Sequence, residues 1–314
     1  MGGGYSGSVN AGRYAPSPTG DLHLGNLRTA LLAWAWARST GRDFYLRLED
    51  LDQDRARDPQ PQIDDLQAIG IDWDGPIVIQ SERHDLYEGA LESLRESGHL
   101  FECFCSRRDI RDAASAAHTP PAAYPGPCAT LSEEERALRR EELAEQGRKP
   151  ALRLLPDVAE WTVEDDIFGP YTGPVEQVVL QRGDGAYAYN LAAVVDDVAQ
   201  GVDQVVRGDD LLESAPTQAY LTHLLGGTPP RYAHVPLVLG PHGKRLAKRD
   251  GAVTLRELLR EGHSIENVVR ILVESTGLPS AASATELLHK FEPGRIQPRA
   301  SVFEPGPPPR LRNP

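Results

Sequence analysis

The segment RYAPSPTGDLHLGN at residues 13–26 constrains the fold of this chain more than any other stretch. It begins as a short apolar strand over residues 13–16. A Pro/Gly turn then leads onto a helix over residues 24–39, with Gly41 placed to end it. Residues 44–48 read as the next strand. Together these elements predict the opening of a βαβ unit, with the amino end of a helix beside the end of a strand.

The alternation of strands and helices continues through most of the chain. Further elements are predicted at residues 85–97, 100–104, 175–182, 186–189, 191–200, 202–207, 211–225, 234–239, 255–260 and 265–274. The segments around Gly183-Asp184-Gly185 predict a β-hairpin. The polar, Ala/Pro-rich residues 106–150, with a capping box at residues 132–135, interrupt the rhythm. We therefore predict an α/β fold with a Rossmann-like, doubly wound parallel sheet, an insertion and a short helical C-terminal part.

This pattern gives a domain plan for the whole chain. The plan has a flexible N-terminus at 1–12, the first half of the Rossmann-like domain at 13–100, an insertion at 101–174, the second half at 175–240, a cationic loop with helices at 241–275, and a disordered tail at 276–314. Disorder is predicted for the tail because its end is rich in Pro and Arg.

Composition limits the classes of protein that this chain can belong to. None of its apolar runs approaches the roughly 20 residues that cross a bilayer, and residues 1–12 lack the charged and apolar regions of a signal peptide. We therefore expect a cytoplasmic protein without membrane contact. A net charge of −13 argues against a uniformly basic surface for nucleic acid but leaves a local patch possible. The cations of that candidate patch are Arg107, Arg108, Arg111, Arg136, Arg139, Arg140, Arg148 and Lys149.

A second segment, KRLAKRD at residues 244–250, brings cations to the phosphate-binding helix start that the first segment predicts. The two segments resemble the HIGH and KMSKS motifs of class I aminoacyl-tRNA synthetases. Similar text at residues 47–52, 187–192 and 206–210 narrows the resemblance to the glutamyl-tRNA synthetase group, over residues 11–275. The second motif departs from the usual KMSKS sequence, with Arg245 in place of the first Lys and Ala247 in place of the Ser.

The resemblance implies that ATP, with Mg²⁺, activates L-glutamate to glutamyl-adenylate. Positioning and electrostatics carry such chemistry, and no covalent nucleophile is needed. The implied catalytic residues are His23, Asn26 and Lys248; the ATP-binding residues are His23, Gly25, Asn26, Arg245 and Lys248; and the glutamate-binding residues are Arg13, Tyr14, Ala15, Pro16, Ser17, Glu49, Tyr189 and Arg207. From the residues alone, Arg47, Glu49 and Asp50 fit a surface charge ladder along a strand equally well.

The three cysteines of the chain are candidate metal ligands. With an odd number and no secretory signal, Cys103, Cys105 and Cys128 do not suggest a disulfide framework. Spacing alone favours buried free thiols over zinc, because Cys-x-Cys is a weak signal. The Cys-x-Cys and Tyr-x-x-x-Cys arrangement resembles the zinc site of glutamyl-queuosine tRNA(Asp) synthetases, a branch of this family. The resemblance implies one Zn²⁺ held by the three cysteines and Tyr124.

The choice of acceptor remains open at this point between three hypotheses. Few residues follow position 275, which favours an enzyme without an anticodon-reading helical domain. This points to the glutamyl-queuosine branch: activation of glutamate without tRNA, then transfer to the queuosine base at the wobble position of tRNA(Asp), by a monomer. The alternatives are a short glutamyl-tRNA synthetase that charges the 3′ end of tRNA, and a catalytically silent paralogue that binds nucleotide or glutamate.

Overall fold

The computed structural model describes residues 10–106, 108–110, 124, 126–239, 253–304 and 310–312. The strands are β1 (Ala11–Tyr14), β2 (Asp43–Leu48), β3 (Val78–Ile79), β4 (Leu100–Cys103), β5 (Ala151–Leu154), β6 (Glu160–Asp165), β7 (Gly169–Pro174), β8 (Val179–Gln181), β9 (Val202–Gly208), β10 (Arg231–Val235), β11 (Val238–Leu239), β12 (Ser301–Glu304) and β13 (Arg310–Arg312). The helices are α1 (Leu24–Ser39), α2 (Gln60–Ala68), α3 (His84–Glu96), α4 (Glu133–Glu145), α5 (Tyr189–Ala199), α6 (Ala215–Leu224), α7 (Leu255–Arg260), α8 (Ile265–Glu274) and α9 (Ala284–His289).

The main sheet has the strand order β3-β2-β1-β9-β10-β6-β7. Strands β1 and β9 are neighbours, and the chain runs outward from them in opposite directions, through β2 to β3 and from β9 to β10, with all of these pairs parallel. Such a switch point opens a crevice at the carboxyl ends of the two central strands. The predicted doubly wound parallel sheet is confirmed, with β7 added antiparallel at one edge.

Helices cover both faces of this sheet. Neighbouring residues on one strand point to opposite faces. Val206 packs in the core that contains α1, α8 and α9, whereas Val205 packs in the core that contains residues of α6. The same alternation separates Ala233 from Tyr232 on β10. In the described residues the sheet is therefore covered on both faces, which leaves the ends of its strands open to ligands.

Helix α1 is the central support of the fold. It is apolar nearly all round, with both Trp34 and Trp36 buried, because it lies between the sheet and the C-terminal helices. Its observed bounds, Leu24–Ser39, match the prediction from the sequence. Because α1 packs against other elements on two sides, its amino end has a fixed position at the switch point.

The predicted hairpin around residues 183–185 forms only in part. Strand β8 is followed by the expected turn, but the returning chain makes a single bridge, between Gln181 and Tyr187. The prediction of a strand over residues 186–189 is wrong at its end, because Tyr189 is the first residue of α5. Leu191 and Ala192 are fully buried in the core beside α3 and α6, which favours the helical period here.

The predicted disorder of residues 276–314 is wrong for the part that the structure describes. That part contains α9 and the strands β12 and β13, and β12 pairs in parallel with β11. Leu278, Ala281 and Leu287 are buried in the core that contains α1. These apolar residues outweigh the high content of Pro and Arg on which the prediction rested.

The region predicted as an insertion divides between two sheets. Strands β6 and β7 join the main sheet, whereas β4, β5 and β8 form a separate three-stranded antiparallel sheet. Helix α4 begins at the predicted capping box, in which the side chains of Ser132 and Glu135 accept each other's backbone N–H. Cys103 is the last residue of β4, Cys105 follows it, and Cys128 lies in the turn that precedes α4. Among the described residues, no helix is both long and apolar enough to cross a bilayer.

Candidate active site

A cavity of about 500 Å³ opens at the switch point, at the carboxyl ends of β1 and β9. Most of the described residues predicted to bind glutamate or ATP line it together: Tyr14, Ala15, Pro16, Ser17, His23, Gly25, Asn26, Glu49, Tyr189 and Arg207. Segments far apart in the sequence therefore meet at one place. Arg245 and Lys248, also predicted for ATP and catalysis, lie outside the described residues.

Of the described residues predicted to bind glutamate or ATP, Arg13 alone does not line the cavity. Its side chain is only 6% exposed, and its Nε donates to Asp197 at 3.3 Å. Asp197 also accepts from Arg47 Nη1 at 2.7 Å, so one carboxylate holds both guanidinium groups. The structure therefore places Arg13 in a buried charge network next to the cavity rather than in its wall.

Arg47 is the centre of this network. It is fully buried on β2, and its guanidinium lies 3.4 Å from Glu49, 3.7 Å from Asp196 and 2.7 Å from Asp197. Burial acts to lower the pKa of Arg47, but the three carboxylates outweigh it and raise that pKa. The alternative interpretation of Arg47 and Glu49 as a surface ladder is thus wrong.

The carboxylates of the network respond differently to their surroundings. Burial raises the pKa of Glu49, and Arg47 and Arg13 offset this only in part. For Asp197, burial acts in the same direction, but Arg13 and Arg47 together lower its pKa below the ordinary value. Asp197 is thus a buried anion. Glu49 belongs to the same charge network and also lines the cavity.

Arg207, on β9, donates hydrogen bonds to three neutral acceptors. Its Nε donates to His234 Nε2 at 3.0 Å, its Nη1 to Gln218 Oε1 at 2.6 Å, and its Nη2 to the Leu211 carbonyl at 3.1 Å. Because His234 Nε2 accepts, its Nδ1 carries the proton and donates to Asp165 at 2.6 Å. Burial lowers the pKa of His234, which favours this neutral form. These contacts fix the plane of a guanidinium that lines the cavity.

His23 and Asn26 form the cap of α1. The backbone N–H of Asn26 donates to His23 Nδ1, and the backbone N–H of His23 donates to Asn26 Oδ1, both at 3.3 Å. A backbone N–H can only donate, so Nδ1 must be an acceptor, and the neutral ring carries its proton on Nε2. The cap therefore presets His23 as a donor, which suits an anionic oxygen at this positive helix end.

Gly25 leaves room for the ring of His23. A Cβ at position 25 would lie 3.0 Å from two atoms of the His23 ring, closer than a relaxed contact allows. We expected Gly25 to let a base or ribose approach the backbone. The structure adds a second reason, because a side chain at position 25 would force the imidazole to shift by a few tenths of an ångström.

Sequence reasoning missed Gln62, which shapes the cavity floor. Its side-chain amide donates to the carbonyls of Ser17, at 3.2 Å, and Gly20, at 2.6 Å. These bonds tie α2 to the loop between β1 and α1, and Gln62 is only 3% exposed. A glutamine in the first turn of a helix gives no sequence signal for this role.

The cysteines form a second centre, at the end of β4 in the small sheet. Cys105 Sγ lies 3.5 Å from Cys128 Sγ, and the Tyr124 hydroxyl lies 3.4 Å from Cys103 Sγ and 3.7 Å from Cys105 Sγ. The three sulfur atoms all lie within 4.8 Å of one another. Tetrahedral zinc with Zn–S bonds near 2.3 Å spaces its sulfur ligands about 3.8 Å apart. The donor set therefore has the type and spacing that a metal ion requires.

The fold and the cavity define a class of protein. The residues match the family described as class I tRNA synthetases (E and Q), catalytic domain, over positions 10–298. The chain belongs to this family, and the resemblance inferred from its motifs is confirmed. It is therefore a ligase of the aminoacyl-tRNA synthetase type, built on the class I catalytic fold.

Individual relatives of this chain have more specific names than the family. The chain is 59% identical over 286 residues to a protein of Nocardia farcinica named glutamyl-Q tRNA(Asp) synthetase, covering 91% of this chain and 90% of the relative. It is 49% identical to a protein of the same name from Cutibacterium acnes, covering 89% and 79%. Among solved structures, a glutamate tRNA ligase from Elizabethkingia meningosepticum, in complex with its amino acid, is similar with a TM-score of 0.79 and 26% identity, covering 94% of this chain and 67% of that one.

Proposed function

We propose that this chain activates L-glutamate with ATP, without tRNA, and transfers the glutamyl group to the queuosine base at the wobble position of tRNA(Asp). The relatives named glutamyl-Q tRNA(Asp) synthetase support the acceptor, since they are 42–59% identical to this chain over the aligned residues. The observation that carries the activation step is the cavity itself, which brings Arg207, Glu49 and the capped amino end of α1 together.

The two halves of the reaction suit different parts of the cavity. Arg207 offers its planar fork to a carboxylate of glutamate, and Glu49 offers an acceptor to the ammonium. The amino end of α1, with His23, binds phosphate oxygens of ATP together with Lys248 and Arg245, and Mg²⁺ offsets the charge of the phosphates. A glutamate carboxylate oxygen attacks the α-phosphorus, and pyrophosphate leaves. A hydroxyl of the queuosine base then attacks the glutamyl carbonyl, and AMP leaves.

We further propose that the protein acts as a monomer in the cytoplasm, since its substrates ATP and tRNA are found there. The test is ATP–pyrophosphate exchange by the purified protein with glutamate and no tRNA, with aspartate and glutamine as controls. We expect exchange with glutamate alone, followed by glutamate attachment to queuosine-containing tRNA(Asp). Exchange only after addition of tRNA(Glu) would instead identify a short glutamyl-tRNA synthetase, and no exchange with either would identify a silent binding paralogue.

We also propose that the cysteine centre holds one structural Zn²⁺. The supporting observation is the donor set of three thiols and one phenol around a common point, beside the small sheet rather than in the catalytic cavity. When bound, zinc would stabilise the fold of this region by joining β4 to the segment that contains Cys128.

Replacing Cys105 by Ser should remove most of the bound zinc, because a hydroxyl is a far weaker zinc ligand than a thiolate. Tyr124→Phe is the graded comparison: it keeps all three thiolates, so it should retain zinc with affinity lowered by roughly tenfold or more. The measurement is zinc content by mass spectrometry, before and after dialysis against a chelator. Unaltered protein that carries no zinc, and that gains none when zinc is supplied, would show that this assignment is wrong.

A further inference from the structure

A second polar cavity, of about 430 Å³, lies on the flank of the cysteine centre. It shares no lining residue with the catalytic cavity. The end of α4, strand β5 and the turn after β8 surround it, together with Cys103 and Cys105. Its cations are Arg148, Lys149, Arg153 and Arg182. We refer to it as the basic pocket.

Local backbone geometry brings these cations together. Gly147, with a φ of +66°, ends α4 and turns the chain so that Arg148 and Lys149 precede β5. The turn after β8 then packs against this point, since a Cβ added at Gly183 would lie 2.5 Å from the Lys149 carbonyl oxygen. Only glycine permits this approach, which places Arg182 beside Lys149.

The positive charge of the basic pocket is poorly neutralised. Arg153 is only 7% exposed; it donates to the Gln177 carbonyl at 2.7 Å, and its guanidinium carbon lies 4.0 Å from the centre of the Tyr124 ring. Among the described residues, no carboxylate pairs with Arg153, Arg148 or Lys149. The acidic residue that lines the pocket, Asp184, pairs with Arg182.

A further carboxylate lies near the rim but has its own partners. Asp109 accepts from the backbone N–H of Ser106, and this bond, ahead of the charges of Arg108 and Arg148, lowers its pKa. The cluster thus keeps an excess of positive charge inside a concave surface, in a chain whose net charge is −13. A cleft lined by one sign of charge concentrates the field, so it attracts anions even to an acidic protein.

We propose that the basic pocket binds a backbone phosphate of the tRNA, outside the catalytic cavity. Arg148 and Lys149 are exposed at its mouth and supply the direct contacts, and Arg153 at its floor supplies a fixed charge. A phosphodiester carries one negative charge and accepts hydrogen bonds without regard to the base, which is what Lys and Arg in a pocket of this kind recognise. The identity of the RNA rests on the proposed function; the positive pocket does not.

The test compares two double variants that remove the same charge. Arg148→Gln with Lys149→Gln removes the two contacts and leaves the pair of Arg182 with Asp184 intact. Arg260→Gln with Arg270→Gln is the matched control, since both of these arginines are exposed on α7 and α8 and neither lines the basic pocket or the catalytic cavity. Affinity for fluorescently labelled tRNA(Asp) is measured by anisotropy at several salt concentrations, with thermal melting as a check of folding.

We expect the pocket variant to bind tRNA more weakly and to lose about one unit from the slope of log affinity against log salt, because the pocket neutralises one phosphate. The control should keep the slope of the unaltered protein. Equal losses in both variants, or none in either, would overturn the proposal. So would unchanged tRNA affinity with a loss of thermal stabilisation by inorganic phosphate, since the pocket would then take a free phosphate.

Glutamate-dependent exchange without tRNA separates this proposal from the proposed function. The pocket variant should exchange at the rate of the unaltered protein, because no residue of the basic pocket lines the catalytic cavity. If no protein exchanged glutamate, the proposed function would be wrong, while the comparison of RNA binding would still decide the role of the pocket.

Discussion

Replacing Arg47 by Met should lower the free energy of unfolding by roughly 3–5 kcal/mol, the cost typical of removing one partner from a buried ion cluster. Arg47 is fully buried, and Glu49, Asp196 and Asp197 would lose the cation that they share. For a chain of 314 residues such a loss corresponds to a fall in melting temperature of roughly 5–8 °C. Calorimetry or denaturant titration measures it.

Arg42→Met is the matched control for this experiment. Arg42 precedes the same strand and makes two hydrogen bonds to Asp203, at 2.8 and 2.9 Å, but both side chains remain partly exposed, at 19% and 32%. Partly exposed ion pairs contribute only about 0–1 kcal/mol. The control should therefore melt close to the unaltered protein. A cost of Arg47→Met no larger than that of the control would mean that the buried carboxylates do not depend on Arg47.

The pH dependence of the free energy of unfolding is an independent test of the same network. In the unaltered protein the pKa of Asp197 is lowered, so Asp197 contributes stability above its unfolded pKa of about 3.9, and this stability is lost as the pH falls through the folded value. Without Arg47, burial should raise the pKa of both Asp197 and Glu49. As the pH falls from about 7 towards 4, protonation of these carboxylates removes buried negative charge from the variant. The difference in free energy of unfolding between the two proteins should therefore become smaller. A gap that is constant with pH would exclude this explanation.

The sequence predicts those parts of the fold that local signals define. Helix α1 has a cap, an apolar run and a terminating glycine within one short stretch, so its bounds follow from the text. Helix α9 has a cap of its own, in which Ser283 accepts from the backbone N–H of Glu286, but the burial of the C-terminal part comes from Leu278 and Leu287, which pack in the core that contains α1, more than two hundred residues earlier. Its order was therefore missed. Contacts of this kind depend on the folded chain rather than on neighbouring residues.

The candidate site shows the same limit. Motifs identified the residues of the cavity wall, but not the layer that holds them. Asp196 and Asp197 occur within the apolar pattern of α5, and Asp196 accepts from Gln80, Arg83 and Tyr87. Two adjacent carboxylates on a buried helix are a usable signal, since such charges must find partners. Which partners they find could not be read from spacing.

The second large effect concerns Arg207, which we expect to grip a carboxylate of glutamate. Arg207→Lys keeps the charge but replaces a planar fork by a single ammonium, which cannot hold His234 and Gln218 and also bind a carboxylate with two parallel bonds. Hydrogen bonds to charged groups contribute about 1.5–3 kcal/mol each, so losing this grip should raise the KM for glutamate by roughly 100-fold. The KM for ATP should change little, because Arg207 lies on β9 and the proposed phosphate site is the amino end of α1.

Pyrophosphate exchange at saturating ATP, with glutamate varied, measures this change. Arg231→Lys is the matched control: it makes the same substitution on the neighbouring strand β10, where Arg231 is exposed and pairs with Asp166. It should leave both constants unchanged. If Arg207→Lys lowered the maximal rate but left the KM for glutamate unaltered, Arg207 would act on the reacting atoms rather than on the bound amino acid.

Since Arg207 is fixed by His234, and His234 by Asp165, His234→Ala should also raise the KM for glutamate, although the guanidinium is still present.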